Sequence, residues 1–150
     1  GRAEIVSLIP FYKERIAIET KKNKRPGAAM YMKMALARMG DSVYTHEMVD
    51  YALTQLKKPY FVEMYFPILL YIAQPESVAA LGELLYMDTP LRDTEGDIYT
   101  SVGKYAYYYM EQAVLNVPLK RIYRHKVTNE DMEIVREWYR NNQHQLIIIR

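Results

Sequence analysis

The chain contains no cysteine, which excludes disulfide bonds, a thiolate zinc site and a cysteine nucleophile. The cytosol and the periplasm are both compatible with that absence. No long hydrophobic run is present either, since the longest, residues 64–73, is far short of the ~20 residues that a membrane helix needs. We therefore expect a soluble protein. No leader opens the sequence, but Gly1 is typical of tag removal, which would hide a natural one.

The sequence also lacks an excess of charge of either sign. Its formal net charge is +2 and 25% of its residues are charged, which favours neither a disordered tail nor a strong field for nucleic acid. A chain of 150 residues, 50% of them hydrophobic, is long enough to form one compact domain over residues 1–150. Tyrosine is in excess, with 15 residues against 3 phenylalanines, and it suits half-buried surfaces as well as cores.

Helix signals run along almost the whole chain, without a set of alternating strands. The helix predicted over residues 28–39 ends at Gly40, which occupies the position of a left-handed cap. Its buried stripe is predicted at Ala28, Met32, Ala35 and Met39. Thr45 is expected to be the N-cap of the next helix. The buried stripe of that helix is predicted at Val49, Ala52, Leu53 and Leu56.

Residues 60–73 are apolar nearly all round, which predicts the most buried helix of the protein. Pro67 lies inside this segment and predicts a kink, and Pro10 predicts a bend in a helix over residues 3–20. Glu63 is the one charge of the segment. We interpret it as a structural carboxylate and not as a catalytic acid or base, because the sequence places no second titratable group beside it.

The polar joint at residues 74–77 predicts the start of another helix. Pro75 suits the first helical position. The buried stripe is predicted at Val78, Leu81 and Leu85, with Ala79 and Ala80 facing outward. Gly82 lies beside the stripe, where two backbones can approach closely.

The two helix pairs match each other in sequence. The aligned pairs are Leu36 with Leu69, Met39 with Ile72 and Gly40 with Ala73, and the second helices match if the first turn carries four extra residues. LARMGD and LYIAQPESVAALGELL resemble HEAT-like repeats, whose helix pairs are joined by a turn of the Gly-Asp-Pro-Glu type. The resemblance implies an all-α superhelix of antiparallel helix pairs, with repeats at 26–58 and 60–88. Residues 1–25 and 98–150 would be atypical capping helices.

Beyond residue 88 the repeat pattern is lost. Residues 88–97 are predicted to be a polar connector, since the acid spacing of a calcium loop is missing. A helix is predicted over residues 98–114. After the basic connector 118–126, Thr128 is expected to cap a last helix with Met132, Val135 and Trp138 inside. The final LIIIR either packs back on the domain or pairs elsewhere, so about seven helices are predicted, with at most a short terminal strand.

Candidates for chemistry are few. Ser101 and Lys104 match the SxxK pattern of penicillin-recognising enzymes, but the SDN and KTG motifs that accompany it are missing. The histidines lie in unrelated segments without metal-site spacing, and a surface role is expected for His46, His125 and His144. We therefore predict a non-enzymatic protein with no catalytic residue, no metal and no cofactor.

The resemblance implies a surface that recognises another macromolecule, usually a protein, so we expect a protein-interaction or scaffold module. The alternative is nucleic-acid binding of the kind found in HEAT-like DNA glycosylases, and the family also includes pigment-attaching lyases, which we rank lower. DNA binding would use two basic stretches, Lys21, Lys22, Lys24, Arg25 and Lys120, Arg121, Arg124, Lys126. The small net charge favours solvated loops instead.

The segment KYAYYYMEQ supplies the candidate binding residues. At about 100° per residue, the buried side of this helix is predicted at Ile98, Val102, Ala106, Met110 and Ala113, with Tyr105 and Tyr109 at its edge. Tyr107 and Tyr108 are expected on the exposed side with Lys104 and Glu111. Large rings among charges are typical of an interaction hot spot, so these four residues are predicted to bind a protein partner or a second copy. The alternative is that the last helix or the tail covers both rings.

Overall fold

The structure is a computed structural model that describes residues 7–22, 26–56, 64–92, 95–120 and 127–149. Two short strands, β1 (Pro90–Arg92) and β2 (Ile98–Ser101), pair as an antiparallel hairpin. The described residues also form seven helices, namely α1 (Ile9–Lys22), α2 (Pro26–Arg38), α3 (Ser42–Leu56), α4 (Phe66–Ile72), α5 (Pro75–Leu84), α6 (Val102–Ala113) and α7 (Asn129–Asn142). The prediction of an all-α protein of about seven helices is confirmed for these ranges.

The helices pack in two layers. One layer contains α2, α4 and α6, in which α4 contacts both of the others. In the second layer α3 contacts α5. Sequential helices contact each other across the layers, and the turns after α2 and after α4 are short. The core lies between the layers, and none of the described helices is both long and apolar enough to cross a lipid bilayer.

The first and second helix pairs have equivalent turns. Gly40 after α2 and Ala73 after α4 are both left-handed, with φ of 91° and 49°. At Gly40 the backbone N–H of Asp41 donates to the carbonyl of Leu36, at 3.0 Å, which closes a Schellman cap. The side-chain amide of Gln74, in the second turn, donates to the carbonyl of Arg38 before the first turn at 2.8 Å, so the two turns are stacked on each other.

The prediction that Thr45 is the N-cap of α3 is wrong. Asp41 caps this helix, since its carboxylate accepts from the backbone N–H groups of Val43 and Tyr44. Thr45 lies inside the helix, buried, and donates its hydroxyl to the carbonyl of Ala37. Because α3 begins at Ser42 and α5 at Pro75, the 33-residue offset between Gly40 and Ala73 also relates the starts of α3 and α5, and the expected insertion of four residues is not needed.

The buried stripes of α3 and α5 agree with the prediction, except that Leu53 is half-buried and Ala80 is buried. The prediction of the buried stripe of α2 is wrong. Its buried residues are Ala29, Leu36 and Ala37, and the four predicted positions are half-buried. The physical reason is that α2 contacts α1, α3 and α4, so it buries several sides and has no single apolar stripe.

The kink predicted at Pro67 is wrong. Pro67 is the second residue of α4, and in the first turn of a helix a proline removes no backbone hydrogen bond and causes no kink. The bend predicted at Pro10 stays a prediction, because residues 3–6 of that helix lie outside the described residues. Residues 60–63, which include Glu63, lie outside the described residues. The described part of this segment is also less covered than expected, since Pro67 and Tyr71 are exposed.

The hairpin replaces a predicted connector and the start of a predicted helix. Residues 90–92 pair with residues 98–101, with a bulge between Leu91 and Arg92. Helix α6 therefore begins at Val102 and not at Ile98, whose side chain is exposed. Ser101 is its N-cap and accepts the backbone N–H of Lys104 at 3.4 Å. The SxxK spacing at this point is that of a helix cap.

Helix α7 is attached to the end of α5. Its capping box joins Thr128 and Asp131, as the predicted cap requires. Met132 and Val135 are buried as predicted, whereas Tyr139 occupies the inner position expected for Trp138, which is half-buried. Arg136 donates from Nε to the carbonyl of Leu85 at 2.8 Å, and the Tyr139 ring lies on Gly82. The close approach that Gly82 allows is thus to a ring and not to a second backbone.

The C-terminal segment LIIIR packs back on the domain. Val114 and Ile148 form an antiparallel bridge, and the backbone N–H of Leu115 donates to the carbonyl of Ile147 at 2.8 Å. Leu146 and Ile148 pack against the core. Of the two alternatives for LIIIR, packing on the domain and pairing elsewhere, the structure shows packing on the domain.

Leu69→Ala should lower the free energy of unfolding by about 2–5 kcal/mol, because Leu69 is fully buried between the layers and its truncation leaves a cavity. Urea denaturation measures this. Leu115→Ala is the matched control, since Leu115 is exposed, and should change stability by less than about 1 kcal/mol. Equal losses for the two variants would contradict the buried position of α4.

Gly82→Ala should be destabilising by about 1–3 kcal/mol, because an added Cβ would lie 1.9 Å from Cζ of the buried Tyr139 ring. Gly27→Ala is the control, since nothing lies within 4 Å of its Cβ position and alanine favours helix. It should leave stability unchanged or raise it. The loss at Gly82 should shrink in a Tyr139→Leu background, and a loss of the same size there would rule out the ring as its cause.

Candidate protein-binding face of helix α6

Helix α6 is buried on a broad arc centred on Ala106. Four of the five residues predicted for its inner side are buried, namely Val102, Ala106, Met110 and Ala113. Tyr105 and Tyr109 lie on the flank that faces α4, where the ring centroids of Phe66 and Tyr105 are 5.1 Å apart. On the opposite flank a Cβ at Gly103 would lie 2.7 Å from the carbonyl oxygen of Leu85, so the helix there abuts the end of α5.

The predicted exposure of Tyr107 is wrong. Tyr107 and Tyr105 are the two neighbours of Ala106, so they lie symmetrically about the centre of the buried arc. The prediction puts Tyr105 at the edge of the buried side of the helix and Tyr107 on the exposed side, although both residues are at the same angular distance from Ala106. The Tyr107 side chain is 0% exposed and lies on the same flank as Gly103, facing the end of α5. It contributes to the core and presents no surface to a partner.

The other three predicted residues share the outward face. Lys104, Tyr108 and Glu111 are spaced by four and three residues, which aligns them on one side of a helix, and all three are half-buried. Two neighbouring rings contact the Tyr108 ring. Its centroid lies 5.2 Å from that of Tyr109, in an edge contact, and 6.2 Å from that of Tyr105, in a tilted contact. The face thus combines a cation, an oriented phenol and a carboxylate.

Lys104 also lines a polar cleft between the hairpin and α7, with a volume of about 590 Å³. Glu133 and Asp88 bring two carboxylates to the cleft, and Arg136, which is paired with Asp88, brings a guanidinium. The cleft is therefore close to neutral. Sequence reasoning missed it, because the hairpin that forms one wall was predicted to be a connector.

Few side chains of the remaining sequence candidates lie within the described residues. Of the basic residues, Lys21 and Lys120 are exposed, and the side chains of the other six lie outside the described residues. His125 is outside them as well, and His144 is exposed. Within the described ranges no group of three His, Cys, Asp or Glu side chains could hold a metal ion.

His46 has a defined role that the sequence did not indicate. Its Nδ1 lies 2.8 Å from Oε1 of Glu76 on α5, and its Nε2 lies 3.3 Å from Oδ2 of Asp50 on α3. The hydrogen bond with Glu76 raises the pKa of the imidazole above its ordinary value, and the negative charge of Asp50 raises it further. Through these two contacts the ring joins α3 and α5, the two helices of the second layer, at their surface.

Comparison with known proteins finds no matching family model, no matching curated protein and no matching solved structure. What the structure defines is the class: an all-α protein of two packed layers with a small hairpin.

The pKa of His46 should exceed 6.5 in an NMR titration, and Glu76→Gln should lower it more than Asp50→Asn does. A pKa raised by folding means that the charged ring stabilises the fold below pH ~6.5, and that this contribution is lost as the pH rises through the folded pKa. An unchanged pKa in Glu76→Gln would contradict the proposed pairing.

Proposed function

We propose that this chain is a non-enzymatic protein-interaction module that binds its partner through the outward face of α6. The observation that carries the proposal is the joint placement of Lys104, Tyr108 and Glu111 on that face. Tyrosine supplies a large contact area with a polar tip, and its neighbours supply one charge of each sign. Such a set suits noncovalent recognition.

The pre-orientation of Tyr108 supports this function. Its ring contacts Tyr105 and Tyr109, and the side-chain amide of Gln112 donates to its backbone carbonyl at 2.9 Å. A ring that is already ordered loses little conformational entropy on binding. We infer that Tyr108 is the anchor of the face and that Lys104 and Glu111 set the orientation of the partner by charge.

We further propose that the first two helix pairs are HEAT-like repeats. The support is the 33-residue offset from Ser42 to Pro75, which is also the offset between the left-handed residues Gly40 and Ala73. The contact of Gln74 with the carbonyl of Arg38 supports it as well. Stacked helix pairs expose an extended surface and are typically used for recognition. In this proposal α6 continues the layer formed by α2 and α4, so its face lies at one end of that layer.

A photocrosslinking residue at position 108 should capture a protein, or a second copy of the chain, in cells of the source. The same residue at position 31 is the control, because Tyr31 is 68% exposed on α2, away from the α6 face. With the purified captured protein, Tyr108→Ser should weaken binding by about tenfold or more and Tyr31→Ser by less than about twofold. Both variants should keep a melting temperature within a few degrees of the wild type.

Three results would contradict the proposal. A large fall in melting temperature for Tyr108→Ser would show that the ring belongs to the core. Equal capture at positions 108 and 31 would show that the face is not specific. Binding of random duplex DNA that falls steeply with salt, together with no captured protein, would favour the nucleic-acid alternative.

A further inference from the structure

A second cavity, of about 460 Å³, lies where α1, α2 and α3 meet, away from the α6 face. The space remains because α1 contributes few buried side chains to this part of the protein. Among the described side chains of α1 only Ile16 is buried, and on α2 the small residues Gly27 and Ala29 line the space. Gly27 lines the cavity and is itself exposed to solvent.

The inner wall of the cavity is apolar and deformable. Met30 and Met48 line it, and methionine adapts its shape to irregular ligands. Tyr51 adds an aromatic ring, which is held by an edge contact with Tyr65 at 5.9 Å. The size and lining are those of a site for a small organic molecule.

The two carboxylates of the wall are each paired with one cation, and the pair that contains Glu19 is the longer. Glu19 and Glu47 contribute carboxylates and Lys33 contributes one ammonium group, which is paired with Glu47 at 2.5 Å. The Glu19 side chain is only 14% exposed. Its one hydrogen bond within the described residues is to Arg15, at a long 3.3 Å and through Oε1, so Oε2 can accept a donor from the cavity.

We propose that this cavity binds a small primary amine with an apolar body. The ammonium group would donate to Glu19, in a charge-assisted hydrogen bond, and the apolar body would lie against Met30, Met48 and the Tyr51 ring. A carboxylic acid would be repelled by Glu19 and would compete with Glu47 for Lys33. An alcohol would fill the same space with a weaker, neutral hydrogen bond.

The test uses three probes of one shape, n-hexylamine, n-hexanol and hexanoate, titrated into the full chain while the methionine methyl signals are followed by NMR. We expect saturable shifts at Met30 and Met48, with the amine binding about tenfold more tightly than the alcohol and the acid binding most weakly. Equal affinity of amine and alcohol, or no saturable shift with any probe, would overturn the proposal.

Three variants locate the site. Glu19→Gln should reduce amine affinity to the level of the alcohol and leave alcohol affinity unchanged. Glu14→Gln, an exposed position on the same helix, changes the net charge equally and should have no effect. Ala29→Leu, at a buried position of the cavity wall, should reduce the space and weaken binding of every probe, with circular dichroism to check that the fold is intact. Equal losses for Glu19→Gln and Glu14→Gln would show that the amine is attracted by surface charge alone.

Discussion

The close approach of α6 to the end of α5 is the constraint on which the second half of the molecule depends. Gly103 lies so near the Leu85 carbonyl that any side chain would collide with it, and its own N–H donates to the carbonyl of Met87 at 2.8 Å. Arg136 of α7 donates to the same Leu85 carbonyl. The segment after α5 therefore positions α6 and α7 together, through backbone groups that the ends of helices leave unpaired.

This constraint also determines which side of α6 faces outward. With one flank against the end of α5 and the other against Phe66 of α4, the helix is buried on both sides of Ala106. The outward face is reduced to a narrow strip that includes Lys104, Tyr108 and Glu111. For the proposed binding face, packing on both flanks lowers the entropic cost of association.

The two ends of the stack differ in how closely they are packed. At the α5–α7 end, the Tyr139 ring leaves no room for a Cβ at Gly82. At the α1–α2 end, one buried residue of α1 and two small residues of α2 leave a cavity lined by paired charges. Since close packing excludes ligands and open space admits them, the proposed amine site is at the α1–α2 end.

The sequence alone determined the elements that depend on local signals. Gly40 as a left-handed cap, Pro75 at a helix start, Thr128 as a cap and the stripes of α3 and α5 followed from the chemistry of neighbouring residues, and so did the all-α class. Tertiary structure decided the rest, because it depends on how many sides of a helix are covered. The burial of Tyr107, the sides of α2 that face inward and the cavity beside Gly27 arise from contacts between separate helices, and no local pattern specifies such contacts.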